Sequence, residues 1–274
     1  MNQIRLVVAD LDGTLIDPGK ALSAEALRAV HDLHAAEILF TVISGRPPFG
    51  MRMYVDLLNL RLPISGFNGG MITDSRYETL HKHALSPEVS RKATGFLESN
   101  GLKYWVYRGS DWLVLDPGLP HEEKEARNVG FTASVVPTFE GRWAGLTKIT
   151  AISDDLEFLA GIERKMQTTF KGLASAARSQ PYYLDITHAD ANKGFFVDYL
   201  SRVHSIPKSQ IATIGDMPSD VSMFERCGLA IAMGNAPEQV KSAANRVTSS
   251  NAENGFARAM DEFVLRTRRK RSAA

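Results

Sequence analysis

The chain has 274 residues, of which 44% are hydrophobic and 23% charged. This composition excludes a disordered chain, and the length permits two domains. There are 32 Lys and Arg against 31 Asp and Glu. Because the protein therefore has no overall positive potential to attract nucleic acid or anionic lipid, we expect neither partner.

One cysteine, Cys227, excludes an internal disulfide and is typical of a reducing compartment. The first ten residues lack the basic start and apolar run of a signal peptide, and no stretch reaches the length of a membrane span. We therefore expect a cytoplasmic protein. The one locally basic segment, residues 266–271, is expected to be solvated rather than to bind nucleic acid or membrane.

The first part of the chain alternates strands and helices. Residues 4–9 and 38–43 are short, apolar and β-branched, which is typical of strands buried on both faces of a parallel sheet. Between them, Ser23 caps a segment with apolar residues at helical spacing. Residues 47–58 predict a second helix, and residues 62–65 predict a third strand.

The same alternation returns near the end of the chain. Helices are predicted at residues 193–204 and 221–226, and strands at residues 211–214 and 229–232. Together the two parts predict an α/β fold with a Rossmann-like parallel sheet.

The middle of the chain has a different pattern, typical of an α+β unit. Its predicted elements are three strands and one helix, at residues 103–107, 112–115, 182–186 and 155–168. We predict that residues 1–81 and 189–274 form the α/β core, and that residues 82–188 form an inserted α+β domain. Tyr104, Trp105, Tyr107 and Trp112 alternate on two of these strands; packing explains them better than a substrate pocket does.

Polar residues stand at the strand ends of the predicted core, where ligands bind in open α/β sheets. The segments concerned are Asp10-Leu11-Asp12-Gly13-Thr14, Ser44-Gly45-Arg46-Pro47, Asn192-Lys193-Gly194, Gly215-Asp216-Met217-Pro218-Ser219-Asp220 and Gly234-Asn235-Ala236. Any one of them alone is explained by an ordinary turn or helix cap.

Their coincidence at one sheet edge indicates phosphoryl transfer. Clustered carboxylates repel one another unless a cation joins them, and Mg²⁺ binds one or two carboxylates together with phosphate oxygens. A carboxylate is also a covalent nucleophile toward phosphorus, and lysine and backbone N–H groups neutralise the phosphoryl charge.

These segments occur in the order of the four motifs of the haloacid dehalogenase (HAD) superfamily of phosphatases, which the sequence resembles. The motif residues are Asp10 to Thr14, Ser44, Lys193 and Gly215-Asp216. The position of the insert resembles the class II cap, and Asn68-Gly69-Gly70 and Gly234-Asn235-Ala236 resemble the Cof-type hydrolase branch.

The resemblance implies a role for each matching residue. Asp10 is the nucleophile, and Asp12 is the general acid and base, with a pKa near the working pH. Ser44 and Lys193 hold the phosphoryl group. The remaining phosphate or substrate contacts are Gly45, Arg46, Asn68, Gly69 and Asn235.

The implied cofactor is Mg²⁺, held by the Asp10 carboxylate, the Asp12 backbone carbonyl and Asp216. Asp220 completes the metal site by orienting water or Lys193. Ser219 stands where this branch usually has Asn, which puts the local metal and phosphate geometry in doubt.

The expected function is a Mg²⁺-dependent phosphatase for a small phosphorylated metabolite, by default a sugar phosphate, in a monomer or homodimer. The inserted cap sets specificity and moves on hinges near residues 82–86 and 188–192. A phosphomutase or phosphotransferase of the same superfamily stays open, as does a non-catalytic ligand-binding protein, and hydrolysis of a generic aryl phosphate tests the latter. The absence of Gly-x-Gly-x-x-Gly after a strand argues against a dinucleotide oxidoreductase.

Overall fold

The computed structural model describes residues 3–266. The strands are β1 Leu6–Asp10, β2 Leu39–Ile43, β3 Ile64–Gly66, β4 Met71–Thr73, β5 Thr79–Lys82, β6 Lys103–Arg108, β7 Asp111–Val114, β8 Ser134–Val135, β9 Leu146–Ile152, β10 Ala174–Gln180, β11 Tyr183–His188, β12 Ile211–Gly215, β13 Leu229–Ala232 and β14 Arg246–Val247. The α-helices are α1 Ala24–Ala35, α2 Arg52–Leu57, α3 Pro87–Ser99, α4 Glu122–Val129, α5 Leu156–Thr169, α6 Lys193–Val203, α7 Val221–Phe224, α8 Glu238–Ser242 and α9 Gly255–Ala259.

An eight-stranded sheet forms the core, in the order β14-β13-β12-β1-β2-β3-β4-β5. The strands from β14 to β3 run parallel, and β4 and β5 are antiparallel additions at one edge. Helices α1, α2 and α9 cover one face and α6, α7 and α8 the other. Burial on both faces is why β1 is apolar up to Asp10. The α/β class and the parallel sheet are confirmed.

Local capping chemistry places the helices that flank the site. The Ser23 hydroxyl accepts the N–H of Ala26 at 3.1 Å and starts α1, and the Asn192 side chain accepts the N–H of Phe195 at 3.0 Å and starts α6. The predicted helix at residues 47–58 is instead a 3₁₀ turn, Pro48–Met51, followed by α2. Pro48 forces the preceding Pro47 into extended backbone, with ψ 148°, so the helical turn begins only at Pro48.

The second sheet has six strands in the order β10-β11-β9-β6-β7-β8. Helices α3 and α5 cover one face. The opposite face carries Trp105, Tyr107 and Trp112 together with α4, and it packs on Phe67 and Met71 of the core. These three side chains are fully buried, and Tyr104 is buried on the face covered by α3 and α5, so the prediction of all four as packing residues is confirmed.

The chain crosses between the two sheets twice. It leaves the core sheet after Lys82, the last residue of β5, and it returns after His188, the last residue of β11. The division into an 82–188 domain and a core stays a prediction, although these two sheets agree with it. Among residues 3–266, no helix combines the length and apolar character needed to cross a membrane. The predicted basic tail lies outside the described residues from position 267 onward.

Candidate active site

Three carboxylates meet at the carboxyl edge of the core sheet. Asp10 ends β1, and Asp216 and Asp220 lie on the turn that follows the neighbouring strand β12. All three side chains are buried, and one oxygen from each lies within 4.8 Å of the others. Adjacent parallel strands therefore bring together acidic residues that are more than 200 positions apart in the chain.

Lys193 supplies the positive charge in this cluster. It is the first residue of α6, and its buried Nζ donates to Asp10 Oδ1 at 2.5 Å and also to Asp220 Oδ1. Burial alone lowers the pKa of Lys193, but the charges of Asp10 and Asp220 outweigh it and raise that pKa. The ammonium group is therefore held charged beside Asp10.

Asp220 holds the turn and the lysine together. Its Oδ2 accepts the backbone N–H groups of Asp216 at 2.9 Å and Met217 at 2.8 Å, and its Oδ1 accepts from Lys193. Since both oxygens are engaged within the chain, Asp220 is placed to position Asp216 and Lys193. Ser219, beside it, points to solvent.

The cluster holds more negative than positive charge. Burial, with the charges of Asp220 and Asp216, raises the pKa of Asp10 well above its usual range, although Lys193 opposes this. Burial and the charge of Asp220 raise the pKa of Asp216 to about 6. Hard carboxylate oxygens with an excess of negative charge fit a divalent cation such as Mg²⁺.

A tight contact shapes the loop opposite Asp216. Gly13 has φ +81°, and a Cβ at this position would lie 2.3 Å from Asp216 Oδ2, so only glycine fits. The next residue, Thr14, is buried and donates its hydroxyl to Asp216 Oδ1 at 2.8 Å. No role was predicted for Thr14, although its place in the motif and its short hydroxyl side chain were available signals.

Asp12 lies apart from the acidic cluster and forms ion pairs. Arg46 donates to both oxygens of the Asp12 carboxylate, from Nε at 2.7 Å and from a terminal nitrogen at 2.8 Å. Lys20 donates to the same carboxylate at 2.6 Å. Burial opposes ionisation, yet these bonds and charges prevail and lower the pKa of Asp12 to about 2. The expectation of a pKa near the working pH is not met in this conformation, because the guanidinium stabilises the carboxylate.

The other residues of the second motif surround Asp12. The buried Ser44 hydroxyl lies 3.5 Å from Asp12 Oδ2 and accepts the N–H of Arg46 at 3.2 Å. The side chain of Asn68 lies over Gly45, and the Asn68 N–H donates to the carbonyl of Ser44 at 2.9 Å. Ser44, Gly45, Arg46 and Asn68 thus form one wall of the crevice.

Gly69 and Asn235 have contacts that the sequence did not predict. Gly69 has φ +97°, and a Cβ there would lie 2.1 Å from the carbonyl oxygen of Asn192, the residue that caps α6. The Asn235 amide donates to the Gly13 carbonyl at 2.9 Å and to Asp216 at 3.3 Å, and its oxygen accepts from Asn251. Both residues join loops around the site, and their binding of phosphate stays a prediction.

Comparison with known proteins agrees with this geometry. The family model of haloacid dehalogenase-like hydrolases matches residues 7–260. The chain belongs to this family. The predicted superfamily, hydrolase class and enzymatic nature are therefore confirmed.

Relatives match along nearly the whole chain. A Bacillus subtilis protein, the 5-amino-6-(5-phospho-D-ribitylamino)uracil phosphatase YwtE, is 28% identical over 95% of this chain and 98% of its own. The HMP-PP phosphatase of Serratia proteamaculans is 24% identical over 87% of this chain and 86% of its own. A crystal structure of a haloacid dehalogenase-like hydrolase from Bacteroides thetaiotaomicron superposes with a TM-score of 0.85 at 26% identity, covering 94% of this chain and 99% of that one. At the level of class, these relatives support a phosphomonoester hydrolase.

In this hydrolase, the second sheet adds a polar cluster next to the crevice. Lys148 of β9 is buried, pairs with Asp185 of β11 at 3.2 Å, and lies 3.3 Å from the carbonyl oxygen of Gly45. Tyr107 donates its hydroxyl to Glu125 of α4 at 3.2 Å. Burial raises the pKa of Glu125, and the nearby charge of Lys148 opposes the rise.

No site role was predicted for Lys148, Asp185 or Glu125, and Tyr107 was predicted only as a packing residue. For Lys148 the reason is that strand β9 was not recognised. The sequence signal was present, because Leu146 to Ile152 is a short run rich in β-branched residues. In the structure every residue of this run is buried. A lysine within such a run implies a buried partner. That partner, Asp185, lies on a strand that was predicted.

Proposed function

We propose that this hydrolase is a Mg²⁺-dependent phosphatase of a small phosphorylated metabolite, working through a phosphoryl group carried on Asp10. One observation carries the proposal: Asp10 lies at the end of β1 with Lys193 on one side and Asp216 and Asp220 within 4.8 Å. A carboxylate in that position is both a nucleophile and a metal ligand.

The donor chemistry supports Mg²⁺ as the cofactor. We assign the metal to the carboxylates of Asp10 and Asp216 and to the backbone carbonyl of Asp12, with Asp220 orienting its neighbours through the bonds described above. Thr14 and Gly13 shape the space beside Asp216. When bound, the metal supplies positive charge that offsets the carboxylates and the phosphoryl oxygens.

The chain's own residues divide the reaction into two displacements. Lys193 occupies Asp10 Oδ1, so we assign Oδ2 to the attack. A bond forms between Oδ2 and phosphorus, the bond from phosphorus to the ester oxygen breaks, and the leaving oxygen takes a proton from Asp12. Water then attacks the same phosphorus and gives its proton to Asp12, which frees Asp10 and releases phosphate.

Asp12 can carry a proton only after its ion pair with Arg46 opens, because this pair, together with Lys20, lowers its pKa to about 2. The phosphate of a substrate is a competing partner for the guanidinium of Arg46. Substrate binding in this scheme therefore frees Asp12 at the moment when an acid is needed. Ser44 and Lys193 hold the phosphoryl oxygens.

The cap supports a small substrate whose non-phosphate part is polar. Lys148 and Asp185 form a buried ion pair, the half-buried Glu125 lies within range of their charges, and Lys148 donates to the Gly45 carbonyl of the core wall. We propose that these side chains contact the leaving group and set specificity. The relatives are named for phosphorylated metabolites, a ribitylaminouracil phosphate and HMP-PP, and a sugar-like phosphomonoester is the corresponding class here.

Hydrolysis of para-nitrophenyl phosphate by purified protein, with and without Mg²⁺, tests the proposal. We expect turnover only with the metal, and we expect Asp10→Asn to abolish it. Asp32→Asn is the matched control, since Asp32 is exposed on α1. Near wild-type turnover by Asp10→Asn contradicts the covalent scheme, and turnover unaffected by chelation contradicts the role of the metal.

A further inference from the structure

Three histidines gather where the chain crosses between the two sheets. His81 and His83 are alternate residues of the extended segment that includes β5, so their side chains point to the same side. His188 ends β11 at the return crossing. The rings of His83 and His188 stack with their centroids 5.4 Å apart and an interplanar angle of 17°.

The ring nitrogens of this cluster are close enough to share an ion. One nitrogen of His83, one nitrogen of His188 and one carboxylate oxygen of Asp190 lie within 4.8 Å of one another. His81 Nε2 lies 3.2 Å from His83 Nε2. Ligand atoms bound to a tetrahedral Zn²⁺ at ~2.0–2.1 Å are about 3.3 Å apart, so side-chain movements of about 1.5 Å or less bring His83, His188 and Asp190 within range of one ion.

Neighbouring groups hold the rings in place. Phe195 of α6 packs against His81 and His83 with centroid distances of 4.8 and 4.5 Å. His188 Nδ1 accepts the backbone N–H of Asp190 at 3.1 Å, which fixes the turn that carries the carboxylate. Ligation by His188 ends that hydrogen bond through either nitrogen, because Nδ1 then either binds the metal or carries the proton that leaves Nε2.

We propose that His83, His188 and Asp190 form a second metal site, separate from the acidic cluster, that binds Zn²⁺ or a similar transition metal. Two imidazoles and one carboxylate favour Zn²⁺ over Mg²⁺, which binds oxygen donors. Three protein ligands leave a fourth position for water. The half-buried imidazoles are reachable from solvent, and the exposed carboxylate of Asp190 completes the ligand set.

A metal ion at this position links the two chain segments that cross between the sheets. His83 lies on the outgoing segment between β5 and α3, His188 ends β11, and Asp190 lies on the return segment between β11 and α6. Any motion of the second sheet relative to the core has to change these two segments. The bound ion therefore restrains that motion, independently of the chemistry at Asp10.

Zinc binding to the full chain tests the site, by competition with a chromophoric chelator in excess Mg²⁺ so that the acidic cluster is occupied. We expect one Zn²⁺ per chain that Mg²⁺ does not displace. His83→Ala and His188→Ala should each weaken binding at least tenfold, since even outer partners of a metal contribute ~10–100-fold. His31→Ala, at an exposed position on α1, is the matched control and should bind as the wild type does.

X-ray absorption at the zinc edge of the wild-type complex needs no variant and so does not depend on how the variants fold. We expect scattering from two imidazole rings. Oxygen-only coordination overturns the proposal, because it places the ion in the acidic cluster. Absence of bound Zn²⁺, or equal affinity in folded His83→Ala and His188→Ala proteins, also overturns it.

Discussion

Replacing Gly69 by alanine adds one methyl group where the Asn68-Gly69 loop meets Asn192, the residue that caps α6. The new Cβ would lie 2.1 Å from the carbonyl oxygen of Asn192 and 2.7 Å from its carbonyl carbon. These are backbone atoms, so no flexible side chain can move aside. Relief requires the Asn68-Gly69 loop and the start of α6 to separate by about 1 Å.

The expected cost has three parts. A side chain at φ +97° costs ~1–3 kcal/mol. Displacement of Asn192 weakens the hydrogen bond by which its side chain caps α6 at Phe195, and loss of an N-cap lowers the free energy of unfolding by ~1 kcal/mol. With the remaining steric strain we expect a loss of about 3–5 kcal/mol in the free energy of unfolding, a large share of the ~5–15 kcal/mol of an ordinary domain.

Urea unfolding measures this change, with Gly95→Ala as the control. Gly95 lies on the exposed side of α3 with nothing within 4 Å of its Cβ position, so the same methyl group there should stabilise the protein by up to ~1 kcal/mol. Gly69→Ala should also lower turnover, because Lys193 directly follows Asn192. A Gly69→Ala protein as stable as Gly95→Ala refutes this reasoning.

Three further results are expected. In single-turnover experiments on a substrate with a good leaving group, Asp12→Ala should form the phosphoenzyme but hydrolyse it slowly; unchanged hydrolysis assigns Asp12 another role. Arg46→Ala should raise the pKa of Asp12 from about 2 toward its ordinary value, as followed by ¹³C NMR of the carboxyl carbon, and an unmoved titration removes Arg46 as the cause. The raised pKa values of Asp10 and Asp216 mean that the folded chain binds more protons than the unfolded chain above about pH 4. Without metal, the pair's contribution to stability therefore falls as the pH rises from about 4 through about 6, where Asp216 titrates. Mg²⁺ should therefore raise the melting temperature more at pH 8 than at pH 5, where protons compete with it; an equal rise at both contradicts this.

Much of the core was predictable because its signals are local. Strands buried on both faces must be continuously apolar, and β1, β2, β12 and β13 were found within two residues of their observed bounds. The cap was harder. Strand β9, at the centre of its sheet, and helix α3, which begins at a Ser86 cap, were not predicted although both carry ordinary patterns.

The sequence by itself determined which residues meet at the carboxyl edge of the core sheet. Asp10, Ser44, Lys193 and Asp216 each follow a strand or begin a helix, and parallel strands bring such positions together without further information. The same residues in their order identified the family. Local pattern and chain order were sufficient for this, because β-α-β units have one handedness and one active edge.

Only the tertiary structure decided how these residues are paired. Three contacts join positions that are more than 30 residues apart in the chain: the ion pair of Arg46 with Asp12, the close approach of Gly69 to Asn192, and the stacking of His83 on His188. No propensity or periodicity encodes such contacts, since they depend on side-chain rotamers and on sub-ångström placement of one loop against another. Protonation follows from these contacts, and so the pKa of Asp12 could not be read from its motif.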